Sequence, residues 1–158
     1  MNIAGTKLPE LKDKALDGAV TSLPADVTGY VTVVAFAFKR ESQADIDEWL
    51  AMAPEEFKDA RRFRMYEVPM MGGGLVKLLR GTINNGMKGA TPPARRRFIV
   101  PFYGDINAYA RKLGMDDRGI VYVLLLDRQG VIRWSASGKA TEKKSAELGA
   151  RARELAGP

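Results

Sequence analysis

The stretch Val31–Leu50, VTVVAFAFKRESQADIDEWL, has the pattern of a buried strand followed by a short polar loop and an amphipathic helix. Its first part, Val31 to Phe38, is β-branched, aromatic or small throughout and does not alternate with polar residues. Such a run predicts a strand buried on both faces of a parallel or mixed sheet. Ser42 is then predicted to cap a helix, because a serine before a helical pattern can accept a free backbone N–H. The apolar positions of that helix recur at helical spacing, at Ile46, Trp49, Leu50 and Ala53.

Further strands are predicted on both sides of this stretch. Asp17-Gly18 lies between apolar runs and favours a tight turn in an N-terminal hairpin. Phe63–Val68 alternates, Phe98–Phe102 is aromatic and β-branched, and Gly119–Asp127 is a continuous apolar run. The turn Arg128-Gln129-Gly130 leads from that run into an antiparallel return strand, VIRWSAS.

Two later helices have recognisable beginnings. Asp105 precedes a short helix ending near Leu113, and Thr141 precedes a helix over Glu142–Leu155. Aspartate and threonine are both favoured N-cap residues because their side-chain oxygens accept free N–H groups.

Composition excludes several kinds of chemistry. The 158 residues contain neither cysteine nor histidine, so the chain supplies no thiolate, no disulfide and no imidazole base or metal ligand. The hydrophobic content of 46% and charged content of 28% are typical of a globular domain. The first residues lack a signal-peptide or transit-peptide pattern, which leaves the cellular location open. A formal charge of +6 suggests an acidic partner or simply favours solubility.

A glycine- and methionine-rich basic stretch, residues 70–97, interrupts the regular pattern. Four apolar residues at four-residue intervals predict an amphipathic helix from Gly74: Leu75, Leu79, Ile83 and Met87. The pattern allows these residues to pack as ordinary core. It also allows a partly exposed docking ridge or a membrane-surface contact with Lys77, Arg80 and Lys88 near headgroups.

Two segments resemble the redoxin branch of the thioredoxin superfamily. LPELKDKALDGAVTSLPADVTGYVTVVAFAF (8–38) is similar to the first part of peroxiredoxin-like and TlpA-like proteins. YVLLLDRQGVIRW (122–134) is similar to their apolar strand, Asp-x-x-Gly turn and return strand. The resemblance implies an α/β thioredoxin-like sandwich with a central mixed sheet flanked by helices. We expect one domain over 1–158, with an N-terminal arm at 1–30 and an insertion at 70–97.

A narrower resemblance lies in the C-terminal part of the chain. GIVYVLLLDRQGVIRWSASGKAT (119–141) and RRRFIVPFYGDINAYARKLGM (95–115) are similar to the Atp10 family of mitochondrial ATP synthase assembly factors. This resemblance implies a chaperone or assembly factor. The implied partner is a protein client, such as an apolar subunit of a membrane complex.

The redoxin comparison places Lys39–Gln43, without cysteine, at the position of the redoxin nucleophile. Ser42 cannot replace a thiolate, because its hydroxyl is a weak nucleophile and no histidine activates it. Val121 falls where thioredoxins have a cis-proline, and we expect an ordinary trans bond there because cis bonds before other residues are costly. We therefore expect no thiol–disulfide or peroxidase activity and no cofactor. The expected binding residues are Lys39, Arg40, Glu41, Ser42 and Val121.

A second set of residues is expected to form the partner surface. It combines apolar and basic side chains that suit an apolar client or an anionic membrane: Leu75, Leu79, Arg80, Arg95, Arg96, Arg97 and Trp134. Nucleic acid is disfavoured, because no RNA-recognition or helix-turn-helix pattern accompanies the arginines.

Other kinds of function stay open at this point. A redoxin-lineage enzyme with a non-thiol mechanism could use Glu41, Asp45 or Tyr103. The backbone N–H groups of Gly72–Gly74 could bind an anion at a helix start. Carboxylates such as Asp116 and Asp117 could bind Mg²⁺ or Ca²⁺, although their surroundings are typical of a turn.

Overall fold

The computed structural model describes residues 3–158. Its strands are β1 (Leu11–Lys14), β2 (Val20–Leu23), β3 (Val31–Ala37), β4 (Phe63–Pro69), β5 (Tyr122–Leu126) and β6 (Ile132–Ser137). Its α-helices are α1 (Gln43–Ala51), α2 (Gly74–Leu78), α3 (Arg80–Gly89), α4 (Ile106–Leu113) and α5 (Glu142–Ala156).

The main sheet has the strand order β4-β3-β5-β6. β3 runs parallel to β4 and antiparallel to β5, and β6 returns antiparallel to β5. Apolar clusters cover both faces of this sheet. One cluster includes residues of α1 and α5, and the other includes residues of α4 and the N-terminal hairpin. The predicted mixed sheet flanked by helices is therefore confirmed.

The central position of β3 explains its almost entirely apolar sequence. Val33 belongs to the cluster beneath α1 and α5, whereas Val34 and Phe36 belong to the opposite cluster. Because neighbouring side chains of a strand point to opposite faces, a strand covered on both faces needs apolar residues at every position. From Val31 to Phe36 every residue of β3 is buried, and the one polar residue, Thr32, has its hydroxyl satisfied by the Tyr30 carbonyl.

The N-terminal arm forms the predicted hairpin. β1 and β2 pair antiparallel, and the N–H of Ala19 donates to the Asp17 carboxylate in the turn. The residues before β1 reach the β5–β6 hairpin: the N–H of Leu8 donates to the Gly130 carbonyl at 2.9 Å. The N–H of Ile132 donates to the Thr6 carbonyl at 2.8 Å. The arm is thus hydrogen-bonded to a part of the chain more than a hundred residues away in the sequence.

The β5–β6 turn is organised around Asp127. Its carboxylate accepts the N–H groups of Gln129 and Val131 and an N–H of the Arg133 guanidinium. Burial alone disfavours the charged carboxylate, but these hydrogen bonds outweigh burial and hold the pKa of Asp127 below its usual value. Gly130 completes the turn with φ of 81°, and a Cβ there would lie 2.6 Å from the Pro24 Cβ. Glycine is therefore required at this position.

The predicted strand Phe98–Phe102 is wrong. Pro93–Phe98 is a 3₁₀ helix, and the residues after it form isolated bridges from Ile99 to Glu67 and from Phe102 to Met70. The N–H groups of Val100 and Phe102 donate to the Glu67 and Pro69 carbonyls, but Pro69 has no N–H to return to Val100, which interrupts the ladder.

The predicted helix from Gly74 is two helices, α2 and α3, which meet at Leu79. Leu79 has φ of −97° and ψ of 8°, outside the α-helical values. The interpretation of Leu75 and Leu79 as core is wrong, because both side chains are exposed. Ile83 and Met87, on α3, are half-buried. The break turns the first part of the apolar stripe away from the face on which α3 packs.

Two of the three predicted helix caps are confirmed. The Asp105 carboxylate accepts the N–H of Ala108, and the Thr141 hydroxyl accepts the N–H of Lys144. The prediction that the Ser42 side chain caps α1 is wrong. Ser42 has φ of −75° and ψ of −9° at the end of a 3₁₀ turn, Arg40–Ser42, rather than the extended conformation that an N-cap residue adopts.

Candidate functional site

Three segments meet at one edge of the main sheet. β3 and β4 are parallel, so their carboxyl ends lie together, and β5 is antiparallel to β3, so its first residues lie there too. The N–H of Met70 donates to the Ala37 carbonyl at 2.8 Å, which joins the two carboxyl ends directly. In open α/β sheets, ligands bind outside the carboxyl ends of parallel strands. This edge is therefore the candidate binding site.

The loop after β3, residues 39–43, is called the cysteine-free loop below. Lys39, Arg40 and Glu41 are exposed, whereas Ser42 is 4% exposed and points into the protein. The loop thus presents two cations and one anion to a partner but no nucleophile. Its accessible groups can form salt bridges and hydrogen bonds with another molecule.

The β3–β5 register pairs Phe36 with Tyr122, so Val121 stands at the end of β3 from which this loop begins. It is fully buried in the same apolar cluster as Ile46 and Trp49 of α1, which follows the loop. One residue further on, Tyr122 makes an edge-to-face contact with Phe38, whose ring centroid is 6.4 Å away. Val121 shapes the apolar floor of the site rather than contacting a partner. Within residues 3–158 the only cis peptide bond joins Leu23 to Pro24.

Glu67 is a buried carboxylate that the sequence reading missed. It lies in β4, is 5% exposed, and accepts hydrogen bonds from Gln43 Nε2 at 3.3 Å and Arg95 Nη2 at 3.0 Å. Gln43 ends the cysteine-free loop, and Arg95 lies in the 3₁₀ helix Pro93–Phe98. Glu67 therefore connects the loop to that helix. A glutamate on the same alternating face as Phe63 and Met65 is the signal in the sequence. Its charge is offset by the Arg95 guanidinium, as a buried carboxylate requires.

A second polar cluster fixes the start of α3 to the rest of the protein. The Asp13 carboxylate accepts the backbone N–H of Tyr103 at 2.9 Å and pairs with the Arg80 guanidinium. That guanidinium also lies 4.6 Å from the centroid of the Tyr103 ring. The Tyr103 hydroxyl donates to Asn84 Oδ1 at 2.8 Å, and burial raises the pKa of Tyr103 above its usual value. Tyr103 therefore acts as a hydrogen-bond donor at neutral pH rather than as a base.

The remaining partner-surface residues lie in different places. The Arg96 guanidinium donates to the carbonyl groups of Lys88 and Thr91, so it fixes the end of α3. Arg97 lies over the Phe98 ring at 4.8 Å. Trp134 lies on the face of the sheet that α1 and α5 cover, where its ring packs edge-on against the Trp49 ring with the centroids 6.5 Å apart. The structure therefore brings Arg95, but not Trp134, into contact with the residues around the cysteine-free loop.

Acidic side chains are scattered rather than grouped. Within residues 3–158 no three acidic side chains are close enough together to hold a metal ion. In the same range no helix has the length and apolar composition needed to cross a bilayer.

We predict that cysteines at positions 39 and 42 will form a disulfide. The Ser42 N–H donates to the Lys39 carbonyl at 3.0 Å, which closes a turn. The Cα atoms of such a turn lie within about 7 Å, the range that a disulfide spans. After mild oxidation, the Lys39→Cys/Ser42→Cys variant should lose both alkylatable thiols and two mass units per chain, about the mass of two hydrogens.

The matched control is Lys39→Cys/Gln43→Cys, in which the second thiol is on the first residue of α1 and is exposed. It should keep its thiols under the same conditions. Free thiols in both double variants would show that the loop lacks the spacing of a dithiol site.

Comparison with known proteins shows both a family and a fold. The model of a family described as ATP10 protein matches residues 4–155, almost the whole chain. Among curated proteins, none has a significantly similar sequence.

Solved structures with similar coordinates are thioredoxin-like. A thioredoxin-family thiol:disulfide interchange protein from Chlorobium tepidum is 15% identical, with 99% of this chain and 100% of that chain covered at a TM-score of 0.57. The thioredoxin domain of a thiol-disulfide oxidoreductase from Bacteroides vulgatus is 16% identical, with 97% and 100% covered at 0.62. BsSco, of the Sco family of cytochrome c oxidase assembly proteins, is 12% identical, with 98% and 96% covered at 0.65. At these identities the likeness shows the fold, which is thioredoxin-like.

Proposed function

This chain belongs to the ATP10 protein family, and we propose that it is a redox-inactive assembly factor that binds a polypeptide subunit of ATP synthase. The family match supports the link to ATP synthase. The thioredoxin-like fold supports a binding role at the carboxyl edge of the sheet, and BsSco is an example of an assembly protein with a similar fold. The proposed client is an apolar subunit of the membrane complex.

The observation that carries this proposal is the composition of the cysteine-free loop. It occupies the edge where parallel strands end, yet its exposed side chains are Lys39, Arg40 and Glu41. Thiol–disulfide exchange needs a thiolate, which the chain cannot supply. Charged side chains on a rigid edge instead select a partner by complementary charge and speed its association.

The test is capture of clients from detergent-solubilised membranes on the immobilised protein. We expect ATP synthase subunits among the captured proteins. Lys39→Glu/Arg40→Glu should reduce their capture about tenfold at low salt, because charge reversal replaces attraction by repulsion. High salt should reduce the difference, since exposed charges are screened.

The matched control is Lys58→Glu/Arg61→Glu, which reverses the same charges just before β4. These residues are exposed and lie near the opposite edge of the sheet, where Phe63 pairs with Val31. Equal capture by both variants would contradict a role for the cysteine-free loop. Absence of ATP synthase subunits from the captured proteins would contradict the proposed client.

A further inference from the structure

Three leucines at the meeting point of α2 and α3 project into solvent. Leu75 is 71% exposed, Leu78 is 83% exposed and Leu79 is 48% exposed; they are called the leucine ridge below. All residues of α2 and α3 are described, and none of them is buried. An exposed apolar cluster of this kind marks an interaction surface, because isolated apolar residues, but not groups of them, are ordinary on a protein surface.

The ridge lies within the part of the chain that carries its whole net charge. Residues 68–104 contain six basic residues and no acidic residue, and the formal charge of the chain is +6. The six are Lys77, Arg80, Lys88, Arg95, Arg96 and Arg97. Outside this segment, positive and negative residues balance. The net charge is therefore concentrated in the segment that carries the leucines rather than distributed along the chain.

Half of these cations are engaged inside the protein and half are available. Arg80 pairs with Asp13, Arg95 pairs with Glu67, and Arg96 donates to backbone carbonyl groups. None of the ion pairs among residues 3–158 involves Lys77, Lys88 or Arg97. Lys77 lies within α2 itself and Lys88 in the last turn of α3.

The engaged polar groups hold the ridge in its exposed position. Arg80 begins α3 directly after Leu79, and its pairing with Asp13 fixes that end of the helix. Asn84 accepts the Tyr103 hydroxyl one turn later. Because polar contacts of α3 provide the attachment, the leucines of α2 are left free of the core.

We infer that the leucine ridge and the surrounding cations are a docking surface for an anionic lipid bilayer. Shallow insertion of apolar side chains combined with attraction to acidic headgroups is the usual mode of interfacial binding. A second copy docked through the same ridge is a poor occupant, because the cations without an ion-pair partner, Lys77, Lys88 and Arg97, would face their counterparts. The inference goes beyond the proposed client binding, since it assigns the ridge to lipid and leaves the cysteine-free loop to the polypeptide.

The test is co-sedimentation with vesicles of phosphatidylcholine alone and of phosphatidylcholine mixed with phosphatidylglycerol. We expect binding to the mixed vesicles only. Leu75→Ser/Leu78→Ser should weaken that binding on the order of a hundredfold, because it removes two inserted side chains. Lys77→Gln/Lys88→Gln should weaken it by about tenfold or more, and high salt should have a similar effect.

Two controls keep the result specific. Leu78→Met keeps an apolar side chain and should bind like the wild type, and Lys58→Gln removes a cation far from the ridge and should also bind normally. Leu78→Trp should show a blue shift of its added fluorescence on mixed vesicles. Because the substituted side chains are exposed, the variants should fold normally. Circular dichroism of each variant checks that lost binding is not due to misfolding.

Equal binding to both vesicle types, or binding that ignores the leucine substitutions, would overturn the inference. So would leucine-dependent binding to a soluble acidic protein without binding to vesicles, which would assign the ridge to a protein partner. Client capture is measured in detergent without a bilayer. Failure of the lipid experiment therefore leaves the capture result standing, and failure of capture leaves the lipid result standing.

Discussion

Replacing Phe36 by alanine should lower the free energy of unfolding by about 4 kcal/mol, near the middle of the range for buried phenylalanines. Phe36 is fully buried in the central strand, and its ring centroid lies 6.0 Å from that of Tyr109. Strands on both sides of β3 prevent the sheet from closing around the lost ring. The result is a cavity, whose cost adds to the lost burial of the side chain. Urea denaturation followed by circular dichroism measures the effect.

Phe38→Ala is the matched control for this prediction. Phe38 lies two residues further along on the same face, but it is only half-buried and follows the end of β3. Its loss should cost about 1 kcal/mol, because solvent can fill the space. A Phe36→Ala variant no less stable than Phe38→Ala would show that the face of the sheet under α4 is not the tightly packed core described above.

Replacing Asp13 by alanine should cost about 2 to 3 kcal/mol. The substitution leaves the Tyr103 N–H without its acceptor and removes the carboxylate that pairs with Arg80. An unsatisfied buried N–H costs about 1–3 kcal/mol. The ion pair adds less, about 1 kcal/mol at most, because the Arg80 side chain is 42% exposed and can be rehydrated. The free energy of unfolding again measures the total.

Local opening distinguishes this role from a general loss of stability. Because Asp13 fixes the start of α3, its removal should make residues 74–89 the first site of limited proteolysis. Asp13→Asn keeps an acceptor for the Tyr103 N–H but loses the negative charge, so it should recover part of the lost stability. An Asp13→Ala variant cleaved at the same sites and rate as the wild type would contradict the proposed attachment.

The parts of the fold that depend on local sequence were predictable. β3 could be recognised because an edge or half-covered strand would alternate with polar residues, which β3 does not. The Asp17-Gly18 hairpin and the Asp105 and Thr141 caps depend on residues close together in the chain, and each is confirmed. The fold follows from this order of elements and from the two redoxin-like segments.

The parts of the fold that depend on contacts between distant segments could not be predicted from the sequence. Nothing in the spacing of Leu75 and Leu79 tells a packed stripe from an exposed one, because the helix break at Leu79 sets their direction. Nothing in the local sequence around Asp13 indicates its role, because its partners, Arg80 of α3 and the Tyr103 N–H, lie far along the chain. The burial and pairing of Glu67 could not be predicted without knowing which side chains approach β4. These features arise only once remote segments are placed side by side.

The attachment of the N-terminal arm to the β5–β6 hairpin has a consequence for protein synthesis. Leu8 and Thr6 leave the ribosome long before their hydrogen-bonding partners, Gly130 and Ile132, are made. A nascent chain that has reached only α4 therefore carries an incomplete sheet and an arm without its pairing partner. Contacts between segments far apart in the chain are slow to form and leave apolar surface uncovered meanwhile. Early chaperone contacts should accordingly involve the N-terminal arm until the β5–β6 hairpin emerges.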